Sequence, residues 1–250
     1  MPFLSFDCVT FFTGGRRILD QVSFSAERGE ILVLLGRSGS GKTTALRLMN
    51  RMLDPASGAI YLDGCNIAEL DPIALRRKTG YVIQEFGLLP HWTIEQNVAL
   101  VPKLLEWPAE KQRQRARELL AKVGLDDEDM AQRKPHQLSG GQRQRVAVAR
   151  ALAAEPGLLL FDEPFGALDP VTRREMQQQL VALTKQYNVA VVFVTHDVAE
   201  ALTLASRIAV LAGGKLECVV SPQEFAAVKT PVARAFLDTL PAAFIRGAVA

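Results

Sequence analysis

The 250-residue chain has little cysteine: three residues, with no CxxC pair among them. Cys8, Cys65 and Cys218 are odd in number and far apart, which argues against a disulfide framework or a cysteine zinc site and leaves them as small apolar packing residues. Long apolar runs are also lacking. Ile31–Leu35 and Val189–Val194 are the longest, far short of the roughly 18 residues that span a bilayer. Neither sign of charge dominates, because 29 Lys and Arg face 27 Asp and Glu for a net +2, so no polyanion is selected as partner. The first twelve residues carry Asp7 and no basic stretch, so no secretory leader is read and the chain is expected in the cytosol. Repeats and low-complexity tracts are missing too. With 48% hydrophobic and 22% charged residues the chain reads as globular, and its length suits one large α/β domain carrying an insertion.

What is present alternates. Buried-strand runs at Ile31–Leu35, Leu158–Phe161, Val189–Val194 and Ile208–Leu211 are separated by helical stretches at Thr43–Met52, Pro170–Tyr187 and Val198–Ala205, the pattern of a parallel sheet with helices on its faces. From Thr93 to about Ala154 strands nearly vanish, and Glu110–Val123 and Gln142–Ala154 have helix-favouring composition, so this region reads as a helical insertion. Lys111, Arg113, Arg115 and Arg117, interleaved with Glu110 and Glu118, read as a solvated helix face.

Three motifs carry chemistry. Gly36-Arg-Ser-Gly-Ser-Gly-Lys-Thr43 fits GxxxxGK[ST] between a predicted strand and a predicted helix. Its glycines let backbone amides turn toward an anion, Lys42 reaches the β and γ phosphates, and the Thr43 hydroxyl can ligate Mg²⁺. Leu158-Leu-Leu-Phe-Asp162-Glu163 delivers two carboxylates at a strand's C-terminal end: Asp162 for the Mg²⁺ shell, Glu163 as general base for the attacking water. In Leu138-Ser-Gly-Gly-Gln142, Ser139 is a candidate N-cap. The consecutive glycines Gly140 and Gly141 cost helix stability and make sense where backbone must approach a ligand closely. A second phosphate-directed helix start on a chain with one such loop points to two chains sharing nucleotides.

With these motifs in this order, the chain resembles the ATPase subunits of ATP-binding cassette (ABC) transporters from about Leu4 to Phe225. The resemblance implies an α/β P-loop core with a mixed or parallel sheet over 1–84 and 156–220, and an N-terminal antiparallel β subdomain within it. It also implies an inserted helical subdomain over 85–155 and a short C-terminal extension over 221–250. By position, the nucleotide loop is Gly36, Arg37, Ser38, Gly39, Ser40, Gly41, Lys42, Thr43 and Thr44, and the signature residues are Ser139, Gly140, Gly141 and Gln142. Gln84 matches the Q-loop glutamine, a Mg²⁺ and γ-phosphate sensor. Asp169 matches the D-loop, and His196 the switch histidine that contacts γ-phosphate. Catalysis falls to Glu163, His196, Lys42 and Gln84, and the metal to Thr43, Gln84 and Asp162. The base-stacking aromatic, usually tyrosine, is here matched by Phe12, with Phe11 adjacent, and in an alternating strand one of the two points inward as core and the other is left to stack. His91 and His136 read as structural.

A finer likeness is to the motors of quaternary-amine importers (glycine betaine, choline, carnitine). It rests on Asn50-Arg51, Asp71-Pro72, Leu75-Arg-Arg-Lys78, Gly80-Tyr-Val-Ile-Gln84, Leu100-Val-Pro-Lys-Leu-Leu105 and Trp107-Pro108. The implied cofactors are ATP and Mg²⁺. The implied partners are a second copy, integral-membrane permease subunits contacted by Phe86–Trp92 and, indirectly, an extracytoplasmic solute-binding protein, with no nucleic acid. The place of work is the cytoplasmic face of the membrane. Thirty residues after Val220 are too few for the paired regulatory modules that such motors often carry, so gating through them is not expected. Alternatives are a soluble ABC-type ATPase acting on nucleic acid or ribosomes, and a motor for another solute.

Overall fold

The computed structural model describes residues 2–127 and 129–240. Its strands are β1 (Leu4–Thr13), β2 (Arg16–Ala26), β3 (Ile31–Leu35), β4 (Ser57–Leu62), β5 (Cys65–Asn66), β6 (Thr79–Val82), β7 (Leu158–Asp162), β8 (Ala190–Thr195), β9 (Arg207–Ala212) and β10 (Lys215–Val220). The helices are α1 (Lys42–Met49), α2 (Pro72–Arg77), α3 (Ile94–Val98), α4 (Leu100–Leu104), α5 (Ala109–Lys122), α6 (Gly140–Leu152), α7 (Pro170–Tyr187), α8 (Val198–Leu204), α9 (Pro222–Phe225) and α10 (Pro231–Leu237). Residues up to Leu75 together with those from Thr184 form one compact unit, and Arg76–Leu183 form a second. Of the expected 221–250 extension, 241–250 lie outside the described residues. No described helix is long and apolar enough to cross a membrane.

In the first unit β2, β1, β4 and β5 make an antiparallel sheet. Gly14 and Gly15, at φ +53° and +75°, supply the left-handed two-residue turn that matches the twist of the β1–β2 hairpin. The Phe6 and Phe24 rings, opposite one another in register, stack at 4.5 Å. In the second sheet of this unit β3 pairs in parallel with β8 on one side and β9 on the other, and β10 runs antiparallel to β9. Every residue of β3 and β8 is buried, as continuous apolar runs in parallel strands require. Glu30, just ahead of β3, grips Arg207 at the start of β9 through two contacts of 2.5 and 3.0 Å, tying the two strand entrances together.

Two expectations fail at identifiable places. Cys8 and Cys65 are exposed and Cys218 is half-buried, so they are not core packing residues. Cys8 sits where the β1 ladder slips between Phe6 and Val9, with φ +48°, and the bulge turns it out of the alternation that would bury it.

In the second unit β6 and β7 pair in parallel and, as expected of a helical insertion, no strand lies between Val82 and Leu158 among the described residues. Helices α3, α5 and α6 pack on one another. Gly80 lets β6 approach α6, since a Cβ there would strike the Leu159 side chain and the Ala151 carbonyl oxygen. Arg115 departs from the solvated face expected of its run: it is 8% exposed and donates to the carbonyls of Leu152 and Ala153 at 3.3 and 3.4 Å. A cation at the C-terminal end of α6 satisfies carbonyls that have no partner within the helix.

Candidate active site

The first unit contributes the loop from Gly36 to Thr44. It leaves β3, turns through Gly39 at φ +78° and Gly41 at φ +102°, and enters α1 at Lys42. Gly36 permits no side chain, because a Cβ would run into the Leu211 carbonyl oxygen and Ser40 Oγ. Lys42 is 5% exposed, and its Nζ donates to the carbonyls of Gly36 at 2.7 Å and Arg37 at 3.1 Å, closing the loop into a ring. No side chain caps α1 at Gly41. Ser40 Oγ is buried and has no hydrogen-bond partner among the described residues. Arg37, Ser38 and Gly39 are exposed, while Thr43 and Thr44 are half-buried at the helix start.

His196 emerges beside this loop. Leu35 on β3 stands opposite Thr195 on β8, so Gly36 and His196 leave the same end of adjacent parallel strands. The turn is fixed from beneath. The Thr195 hydroxyl donates to buried Glu200 at 2.6 Å and accepts from the Asp197 amide at 3.0 Å, and Asp197 Oδ1 caps α8 through the Ala199 amide at 2.8 Å. Phe12 is 43% exposed at the end of the β1–β2 hairpin, with the Arg17 guanidinium 5.4 Å from its ring centroid. Phe11 is half-buried rather than core. This hairpin lies against the loop, for a Cβ on Gly41 would stand 2.6 Å from Leu19 Cδ2.

The second unit holds the remaining residues. Val82 and Phe161 are opposite in register, so Gln84 and Glu163, each two residues further on, leave the same end of the β6–β7 pair. Tyr81 Oη is 3.5 Å from Asp162 Oδ2. Glu163 has φ +48°, a left-handed backbone that non-glycine residues adopt at a cost and that concentrates at functional sites. Ser139 caps α6 in a reciprocal box: its Oγ accepts from the Gln142 amide at 3.2 Å while Gln142 Oε1 accepts from the Ser139 amide at 2.9 Å.

The two signature glycines part company. Gly141 faces Thr172, whose Cγ2 would be 2.6 Å from an added Cβ, so its smallness has an internal reason. Gly140 faces open space, with nothing within 4 Å. Asp169 lies at the start of α7, where Oδ1 accepts from the amides of Val171 and Thr172 at 3.1 and 3.0 Å. Hydrogen bonds from Thr172, hydroxyl and amide, hold the Asp169 carboxyl below its ordinary range.

Sequence reasoning missed several supporting residues. Tyr81 and Thr172 touch site residues, Glu200 holds the turn that carries His196, and Asn97, Arg143 and Arg150 hold the loop after Gln84. Thr172 and Glu200 had a readable signal, each three residues past an aspartate, Asp169 and Asp197, at the spacing of a helix-cap turn. The others depend on pairings that only the fold brings about.

A glycine loop closed by lysine at a bare helix start, a strand ending in Asp-Glu, and a serine-capped helix with an open glycine together define a P-loop nucleotide-binding ATPase fold with the ABC signature. The chain belongs to the ABC transporter family, whose domain model matches residues 19–166. It is 52% identical over 213 residues to the glycine betaine/carnitine/choline transport ATP-binding protein OpuCA of Bacillus subtilis, covering 85% of this chain and 56% of that protein. It is 44% identical over 213 residues to the glycine betaine uptake system ATP-binding protein YehX of Escherichia coli, covering 85% and 69%. A solved dimer of an ATP-binding cassette in a post-hydrolysis state, bound to ADP and Pi, matches with a TM-score of 0.77 at 37% identity over 88% of this chain and 98% of that one. The chain thus spans about half the length of OpuCA.

Proposed function

We propose that the protein is the ATP-hydrolysing motor of an importer for quaternary-amine osmoprotectants, working at the cytoplasmic membrane face as a pair of copies around two Mg-ATP. The observation that carries the nucleotide reading is the loop from Gly36 to Thr44. Buried Ser40 Oγ, without a partner among the described residues, and a start of α1 that no side chain caps fit a phosphate seated there. In this reading Gly36, Arg37, Ser38, Gly39, Ser40, Gly41, Lys42, Thr43 and Thr44 bind the phosphates, and Phe12 stacks on the base. His196 contacts the γ-phosphate.

Glu163 accepts the proton of the attacking water. Thr43, Asp162 and Gln84 would hold Mg²⁺, one hydroxyl, one carboxylate and one amide suiting an ion that keeps water and phosphate oxygens as its other ligands. When bound, that ion neutralises charge on the β and γ phosphate oxygens. Ser139, Gly140, Gly141 and Gln142 act on the nucleotide of the other copy, as does Asp169 near the shared face. Permease subunits dock at Phe86–Trp92, and a solute-binding protein delivers cargo to them from outside.

The solute class rests on the identity to OpuCA over 85% of this chain. The test is ATP-driven uptake by this chain reconstituted with its genomically adjacent permease and solute-binding protein. Uptake of labelled glycine betaine, choline or carnitine is expected. Transport confined to another chemical class would overturn the solute assignment.

A further inference from the structure

The segment after Gln84 is fastened to the signature helix by two arginines. Arg150 Nη1 donates to the Gly87 carbonyl at 2.6 Å and its Nη2 to the Phe86 carbonyl at 2.7 Å, a fork spanning two consecutive acceptors. Its partners among the described residues are these two carbonyls. Both residues are left-handed, Phe86 at φ +62° and Gly87 at φ +58°, and such a conformation in phenylalanine persists only where the surroundings over-determine it. Arg143, seven residues earlier on the same face of α6, lays its guanidinium 5.6 Å from the Phe86 ring centroid. Its Nε is buried without a hydrogen-bond partner among the described residues, and the contact its guanidinium makes here is with the ring. The Arg143 amide in turn donates to the Ser139 carbonyl at 3.0 Å, which joins the contact directly to the cap of α6. At the far end of the segment fully buried Asn97 accepts from the Leu89 amide at 2.7 Å and donates to the carbonyls of Leu89 and Thr93 at 3.1 and 3.0 Å.

We infer that Arg150 and Arg143 are positioning residues that lock the Phe86–Gly87 turn to α6, so that Phe86–Trp92 and Ser139 move as one body. A push on the segment then reaches Ser139, and engagement of Ser139 by nucleotide reaches the segment. The required transmission element is rigid on both sides of the turn: a capped helix with a buried apolar face, and a loop closed by Asn97. Lysine at 150 would retain the charge but not the planar fork that sets two fixed donors on the two carbonyls.

This inference rests on the shared-site reading, and one experiment separates their failures. Amide hydrogen exchange is measured by mass spectrometry on the full chain carrying Glu163→Gln, with and without Mg-ATP. Slower exchange with Mg-ATP in the 138–145 peptide tests the shared site. Several-fold slowing in the 86–92 peptide tests the lock. In the Arg150→Lys background the slowing at 138–145 should persist and that at 86–92 should vanish. A residue that merely stabilised the fold would change exchange equally with and without nucleotide. Slowing at 138–145 without slowing at 86–92, or slowing at 86–92 that survives Arg150→Lys, overturns the lock. No slowing at 138–145 removes the shared-site reading, and the lock falls with it. Should Arg150→Lys fail to fold, Arg150→Met, which keeps an apolar stem and removes every donor to the Phe86 and Gly87 carbonyls, must give the same pattern.

Discussion

A Cβ on Gly141 would stand 2.6 Å from Cγ2 of Thr172, closer than side chains tolerate, whereas the neighbouring Gly140 meets nothing within 4 Å. Two adjacent glycines that look equivalent in the sequence therefore differ, the smallness of one having a reason within the chain and that of the other none among the described residues.

Gly141→Ala overpacks the junction of α6 and the start of α7 and should destabilise the protein by about 1–3 kcal/mol. Thr172→Ser removes Cγ2, keeps the hydroxyl, and should restore most of that loss in a double-mutant cycle read by urea unfolding. Gly140→Ala should leave the unfolding midpoint unchanged or slightly raised, because alanine is the better helix former. It should nevertheless lower ATPase activity sharply if nucleotide approaches that backbone. Equal destabilisation by both alanines would contradict the distinction.

Asp169 supplies the pH dependence. Its hydrogen bonds from Thr172 depress the native carboxyl pKa, so its stabilising effect is present above the unfolded value, about 3.9, and is lost as pH falls through the lower native value. Asp169→Ala should therefore melt below the parent at neutral pH. The gap should close as pH drops below the unfolded value. Calorimetry across that range checks it, and a gap independent of pH would show that the ionised carboxylate is not what caps α7.

Much of this site was legible because its chemistry is local. A phosphate loop needs glycine, lysine and threonine at fixed spacing, so Gly36–Thr43 announced both a turn and its ligand, and the buried runs of β3 and β8 were visible as uninterrupted aliphatics. Arg115 was misread for the opposite reason. Its neighbours in sequence are charged, but its partners, the carbonyls of Leu152 and Ala153, are 37 and 38 residues away. Cys8 was misread because a β-bulge leaves no compositional mark. Arg150 was not singled out at all: an arginine in the last turn of α6 reads as a favourable charge near the helix end, and nothing nearby tells that Phe86 and Gly87 present their carbonyls to it.

Glu163 follows the β7 strand with a left-handed backbone. If its carboxylate polarises the attacking water while phosphate binding rests on Lys42, Glu163→Gln should keep Mg-ATP affinity and lose turnover by roughly 10² to 10⁴, the usual scale of general-base catalysis. It should also accumulate as an ATP-bound dimer in size-exclusion chromatography. Near-normal turnover at saturating Mg-ATP would remove Glu163 from the role.

The shared site has a complementation test. A single bound ATP offers one γ-phosphate to its own Lys42, which leaves Ser139 to act on the neighbour's nucleotide. Lys42→Ala should empty its own loop, and Ser139→Arg should block the neighbour's phosphate by bulk and misplaced donors, so each mutant homodimer should be nearly inactive. Mixing them creates one composite site with an intact Lys42 from the Ser139→Arg chain and an intact Ser139 from the Lys42→Ala chain. ATPase activity should reappear on mixing, provided that one site turns over alone. Mixtures of the wild-type chain with each mutant report on that proviso, because each also contains a dimer with a single intact site. Activity from those one-site dimers with none from the mutant mixture would place the whole site within one chain and overturn the shared arrangement.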